Sequence, residues 1–129
     1  LGDLWQQPGV ERPEDWIARG WDECQAALER TAAALPAADP AQDPCALAGA
    51  GWVAEESLAA ALLCFLAFPA EPLRAVRWAV VSSGDSDSIA SLAGALAGAA
   101  LGLAAWPAAW LERIEYRERL AALADGLAD

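Results

Sequence analysis

From Ile89 to Ala105 the chain carries no charge, and Ser91 is the one polar side chain in the run. Alanine, leucine and glycine fill the rest. Alanine and leucine favour helix more than almost any other residues, because they lose little side-chain freedom in it. A second alanine-rich run surrounds Ala59-Ala60-Ala61. Isoleucine occurs only at positions 17, 89 and 114, and threonine only at 31. No stretch alternates apolar and polar residues with the period of two that a half-buried strand needs. The chain therefore reads as all-α. Its 129 residues suffice for a single domain, 1–129, with a modest core.

Prolines and apolar spacing mark out the helices. Pro13-Glu14-Asp15 predicts the start of a short helix holding Trp16 and Ile17. Asp22 to Leu35 reads as an amphipathic helix with Cys24, Leu28, Thr31 and Leu35 at helical spacing. The proline-rich stretch 36–44 reads as an exposed loop. Trp52 to Phe68 reads as a mostly buried helix, with Glu55 and Glu56 in the first turn, where the helix dipole favours acids. Pro72 opens a helix to about Val81. The apolar run is then expected to be a central helix ended by Pro107. A charged helix is expected from Trp110 to Ala128, broken near Tyr116, with its mixed acids and arginines facing water.

Charge and residue types exclude several functions. The net charge is −11, with no lysine and no histidine. An acidic surface disfavours nucleic acid and anionic membranes as partners. Without histidine there is no Ser-His-Asp triad, no Cys-His pair and no histidine-ligated zinc within this chain. Cys24, Cys45 and Cys64 are odd in number and widely spaced, and no CxxC occurs. That pattern suits free thiols in a reducing cytoplasm. No signal-peptide pattern follows Leu1, so a cytoplasmic protein is expected, and the missing initiator methionine suggests a processed chain or a fragment.

Concentrated chemistry lies in one place, Gly84-Asp85-Ser86-Asp87-Ser88, directly before the apolar run. Two readings compete. Asp87 or Ser88 can cap the following helix while the other oxygens face water. Alternatively, Asp85, Asp87 and Ser88 offer hard oxygen ligands from one turn, the type that Mg²⁺ prefers, with the rest of a six-oxygen shell supplied from elsewhere. The stripe Ser86, Ala90, Gly94, Gly98 and Gly102 also has two readings: a transmembrane packing face or the close-packed side of a helix in a soluble bundle. The adjacent acids and Pro107, and the lack of a flanking basic cluster, favour the soluble one.

The acidic pentapeptide and the segment that follows it, Ile89-Ala90-Ser91-Leu92-Ala93-Gly94, resemble the C-terminal metal motif of the ADP-ribosylglycohydrolase family. Gly51-Trp52-Val53-Ala54-Glu55-Glu56 resembles that family's Gly-aromatic-Val helix upstream, and Trp106-Pro107-Ala108-Ala109-Trp110 its Ile-Pro-x-x-Trp segment downstream. The resemblance runs from about 48 to 127. It implies an orthogonal all-α bundle that hydrolyses the bond between ADP-ribose C1″ and its acceptor at a dinuclear Mg²⁺ site, or Mn²⁺ in some members. Carried onto this chain, it makes Asp85 and Asp87 carboxylate ligands, with Asp87 bridging, and Ser88 a hydroxyl ligand. Ser83 and Gly84 would lie where backbone approaches the substrate. Trp52 would either stack on ADP-ribose or be a core tryptophan. The family's N-terminal Gly-Asp-x-x-Gly and Thr-Asp-Asp-Thr-like motifs are not found in this sequence. The resemblance thus implies a C-terminal half whose partner is a missing N-terminal half or a second chain. A bacterial source fits the arginine and alanine bias. The alternatives are a non-catalytic helical interaction module and a small membrane protein packed through Gly94, Gly98 and Gly102.

Overall fold

The computed structural model describes residues 12–127, and among them helices are the only regular elements. In chain order these are α1 (Pro13–Ala34), α2 (Pro44–Ala48), α3 (Ala54–Ala67), α4 (Pro72–Val80), α5 (Ser86–Leu101), α6 (Ala108–Leu111) and α7 (Arg117–Leu127). Short 3₁₀ turns follow α1 at Leu35–Ala37 and α5 at Leu103–Ala105. α3 lies at the centre and packs against α1, α2, α4 and α5. α4 and α5 also pack on each other, and α1 on α2.

The helix starts follow from local chemistry. Proline stands at the first helical position of α1, α2 and α4, where its fixed φ helps and its missing N–H costs nothing. Asp15 reaches back to accept the Arg12 backbone N–H at 3.1 Å and pairs with the Arg12 guanidinium at 2.9 Å. α1 is continuous where two helices were expected. Gly20 is not a break: it sits in open space inside the helix, at a propensity cost of about 1 kcal/mol that the flanking residues outweigh.

The core is built largely of alanine. Ala27, Ala48, Ala59, Ala60, Ala61, Ala75, Ala79, Ala93 and Ala97 are fully buried, with Leu63, Ile89, Pro44 and Cys64 as the largest fully buried side chains. Small side chains let helix axes come close. On α1 the buried line is Ala27 and Thr31, and the Thr31 hydroxyl donates to the Ala59 carbonyl at 3.2 Å. Leu28, expected on that face, is instead exposed. At the far end of α3, Phe68 meets Trp78 edge-on, 5.8 Å between ring centroids, with the Arg74 guanidinium 4.2 Å over Phe68.

The structure corrects four local expectations. Stretch 36–44 is not wholly an exposed loop, because Pro44 is buried and opens α2. Trp52 lies before α3 rather than in it and is 72% exposed, so it is not a core tryptophan. α5 ends at Leu101, not at Pro107: Gly102 takes a φ of +71° and its N–H closes onto the Gly98 carbonyl. α5 also begins earlier, at Ser86, with Asp85 as its N-cap. The break near Tyr116 is present, and that residue has a φ of +58° between α6 and α7. From Arg117 to Gly126 every side chain is exposed, as the mixed charges led one to expect.

Candidate functional site

The acidic turn joins α4 to α5, and the order of the residues explains how it is held. The Asp85 N–H donates to the Ala50 carbonyl at 2.9 Å, which ties the turn to the loop before α3. Gly84 sits under that bond. A Cβ built on it would lie 1.8 Å from the Ala50 oxygen and 2.9 Å from the Cys45 Sγ, so only glycine fits. Gly51, at φ +78°, covers the start of α5; a Cβ there would meet Ile89 Cδ1 at 2.8 Å and Asp85 Cβ at 3.5 Å. That loop is braced in turn by α3. The Gly51 N–H donates to Glu56 Oε2 at 3.2 Å, and the Ser57 hydroxyl donates to the Gly51 carbonyl at 2.5 Å.

A second tie comes from Asp43. Its Oδ1 accepts the N–H groups of Cys45 (3.0 Å) and Ser83 (3.2 Å), and its Oδ2 accepts the Ser83 hydroxyl. The Ser83 hydroxyl bond, joined by those backbone N–H groups, holds the Asp43 carboxyl below the usual carboxylate range, against a smaller opposing effect of burial. The neighbouring Gln42 carbonyl accepts the Trp78 indole N–H at 2.7 Å.

Asp85 and Asp87 have side chains close enough to hydrogen-bond. That contact, with the Ser88 N–H and its own, keeps the Asp87 carboxyl below the usual range. The capping expectation changes accordingly. Neither Asp87 nor Ser88 is the N-cap; Asp85 is, without a side-chain capping bond, and Asp87 instead accepts the Ser88 N–H at 3.1 Å. Asp87 is exposed, while Asp85 and Ser88 are half-buried. Trp52 stands next in sequence to Gly51, beside the turn, with its ring in solvent. The structure thus brings Asp85, Asp87, Ser88, Gly84 and Ser83 into one turn and sets Trp52 on the adjoining loop. Among the described residues, no group of three or more His, Cys, Asp or Glu side chains is placed to hold a metal. In type, two carboxylates and a hydroxyl fit a hard divalent cation; in number they fall short of its shell.

Sequence reasoning missed Asp43 and the Glu56–Ser57 brace. A signal for the first was present: Asp43 directly precedes Pro44, the N-cap and N1 pattern of a helix start.

The fold and turn define a class, an all-α bundle with an acidic, oxygen-rich turn at the start of a helix that buries Ile89, Ala93 and Ala97. A family model described as ADP-ribosylglycohydrolase matches residues 4–129, and the chain belongs to that family. No curated protein and no solved structure matches it. The matched span extends well upstream of the region from 48 to 127.

Proposed function

We propose that this chain is the C-terminal part of a metal-dependent hydrolase that removes ADP-ribose from modified protein or small-molecule acceptors, cleaving the N- or O-glycosidic bond at ribose C1″. The observation that carries the reading is the Asp85-Ser86-Asp87-Ser88 turn, pinned at the start of α5 in a family member. Asp85, Asp87 and Ser88 would hold divalent cations, two Mg²⁺ or Mn²⁺ ions in the complete protein. Bound there, such ions would polarise substrate oxygens and lower the pKa of water. The chain's own contribution is placement. Two neighbouring carboxylates repel when both are ionised, and a cation relieves that repulsion. The exposed Trp52 ring offers a face for a planar or sugar-bearing ligand beside the turn. The remaining ligands would come from an N-terminal part or a second chain; among the described residues, Asp85, Asp87 and Ser88 do not fill a six-oxygen shell.

A second reading is a non-catalytic helical interaction module derived from that family. The two separate in one assay. ADP-ribosylated arginine and serine peptides are offered with Mg²⁺ to the protein and whatever chain co-purifies with it. Release of ADP-ribose that disappears in the Asp85→Ala/Asp87→Ala variant supports the hydrolase. Release that persists in that variant removes these residues from the site, and no release favours the module.

A further inference from the structure

We propose that Asp43 is the positioning residue of the acidic turn: its carboxylate clasps Ser83 and so fixes the segment that presents Asp85 and Asp87. The inference rests on the metal reading above for its purpose, and on geometry alone for the clasp. Asp43 makes no contact with either aspartate in the bonds described; it acts through Ser83, two residues before Asp85. One carboxylate accepts three hydrogen bonds, from the Cys45 N–H, the Ser83 N–H and the Ser83 hydroxyl. An ionised carboxylate is an acceptor at both oxygens, which is what three converging donors require.

The clasp is anchored in the core. Pro44 is fully buried and fixes the backbone after Asp43. Trp78, 3% exposed, donates its indole N–H to the Gln42 carbonyl before it. Asp43 is therefore held on both sides. It spans forty residues of sequence to reach Ser83. Among the described residues, the backbone hydrogen bond that ties the turn to a distant segment is the Asp85 N–H to the Ala50 carbonyl. With Asp43 released, that single bond and the Gly84 contact would have to hold the turn.

Asp43 also caps α2, so a simple deletion would confuse two roles. Serine caps helices well but is too short and has too few oxygens to bridge both groups on Ser83. Asp43→Ser therefore keeps the cap and loses the clasp. Ser83→Ala reads the clasp from the other side and leaves the cap untouched. Two readouts on the full chain decide the matter: hydrogen exchange at the Asp85 amide, and the Mn²⁺ concentration that broadens the backbone NMR signals of residues 85–89. In both variants the expected result is a melting temperature within about 4 °C of the parent chain. Exchange at Asp85 becomes about tenfold faster, and about tenfold more Mn²⁺ is needed for the same broadening, the size of effect seen when a residue behind a metal ligand is removed. Parent-like exchange at Asp85 in both variants would overturn the proposal. If Mn²⁺ broadens nothing near the turn in the parent chain, the metal reading fails, and the exchange measurement still decides whether Asp43 holds the turn.

Discussion

Gly84 carries more structural constraint than any other single position near the turn. Adding a methyl group there drives it into the Ala50 carbonyl, a backbone atom that cannot rotate away. We expect Gly84→Ala to destabilise the protein by about 1–3 kcal/mol, in the range of other overpacked sites, visible as a lower thermal midpoint. Asp43 sets a pH dependence. Its folded-state pKa lies below the ordinary value of 3.8, so its contribution is fully present above that value and is lost as pH falls through the folded pKa. Asp43→Asn should therefore lower the melting temperature at pH 7 and make less difference at pH 3, below the ordinary value. An equal effect at both pH values would show that the charge is immaterial. Cys64 is fully buried, and its thiol is pushed up to about 12, by burial first and then by Cys45 and Asp43 nearby. Native alkylation at pH 8 should leave it unmodified while half-buried Cys24 reacts, and unfolding should expose it.

Among the elements, α5 separates what its glycines do from what their spacing suggests. The residues it buries fully are Ile89, Ala93 and Ala97, one position off the stripe of small residues. A Cβ at Gly94 would lie 3.7 Å from Val76 Cγ2, ordinary contact. Gly94→Ala should be neutral or stabilising by up to about 1 kcal/mol through helix propensity. Gly102 differs, because its φ of +71° is costly for any other residue despite the open space around it. Gly102→Ala should cost about 1 kcal/mol or more, read in the same denaturation experiment. The difference between the two variants tests where α5 ends. Helix types and most starts were legible in the sequence, because proline at N1 and runs of alanine are local signals. The end of α5 was not: Gly102 looked like one more member of a regular stripe, and its left-handed turn depends on the chain reversing there so that Trp106 can pack over Gly98. The acidic turn was legible as a cluster of oxygens. Its fastening was not, since Asp43 and Ala50 reach it across long separations that no spacing rule encodes.

For the whole molecule, the described residues form a bundle around α3, and no helix in them is long and apolar enough to cross a membrane. Trp21, Trp52, Val81 and Leu103 each expose about 70% of their surface or more. In the proposed hydrolase Asp85 and Asp87 would hold metal. Calorimetric titration of Mn²⁺ into the protein, together with any chain that co-purifies, tests it most directly, beside the Asp85→Ala/Asp87→Ala variant. The expected result is saturable binding that the double substitution abolishes without unfolding the bundle. Binding that survives the substitution, or none in the parent protein, would contradict it and leave the turn as the start of a helix.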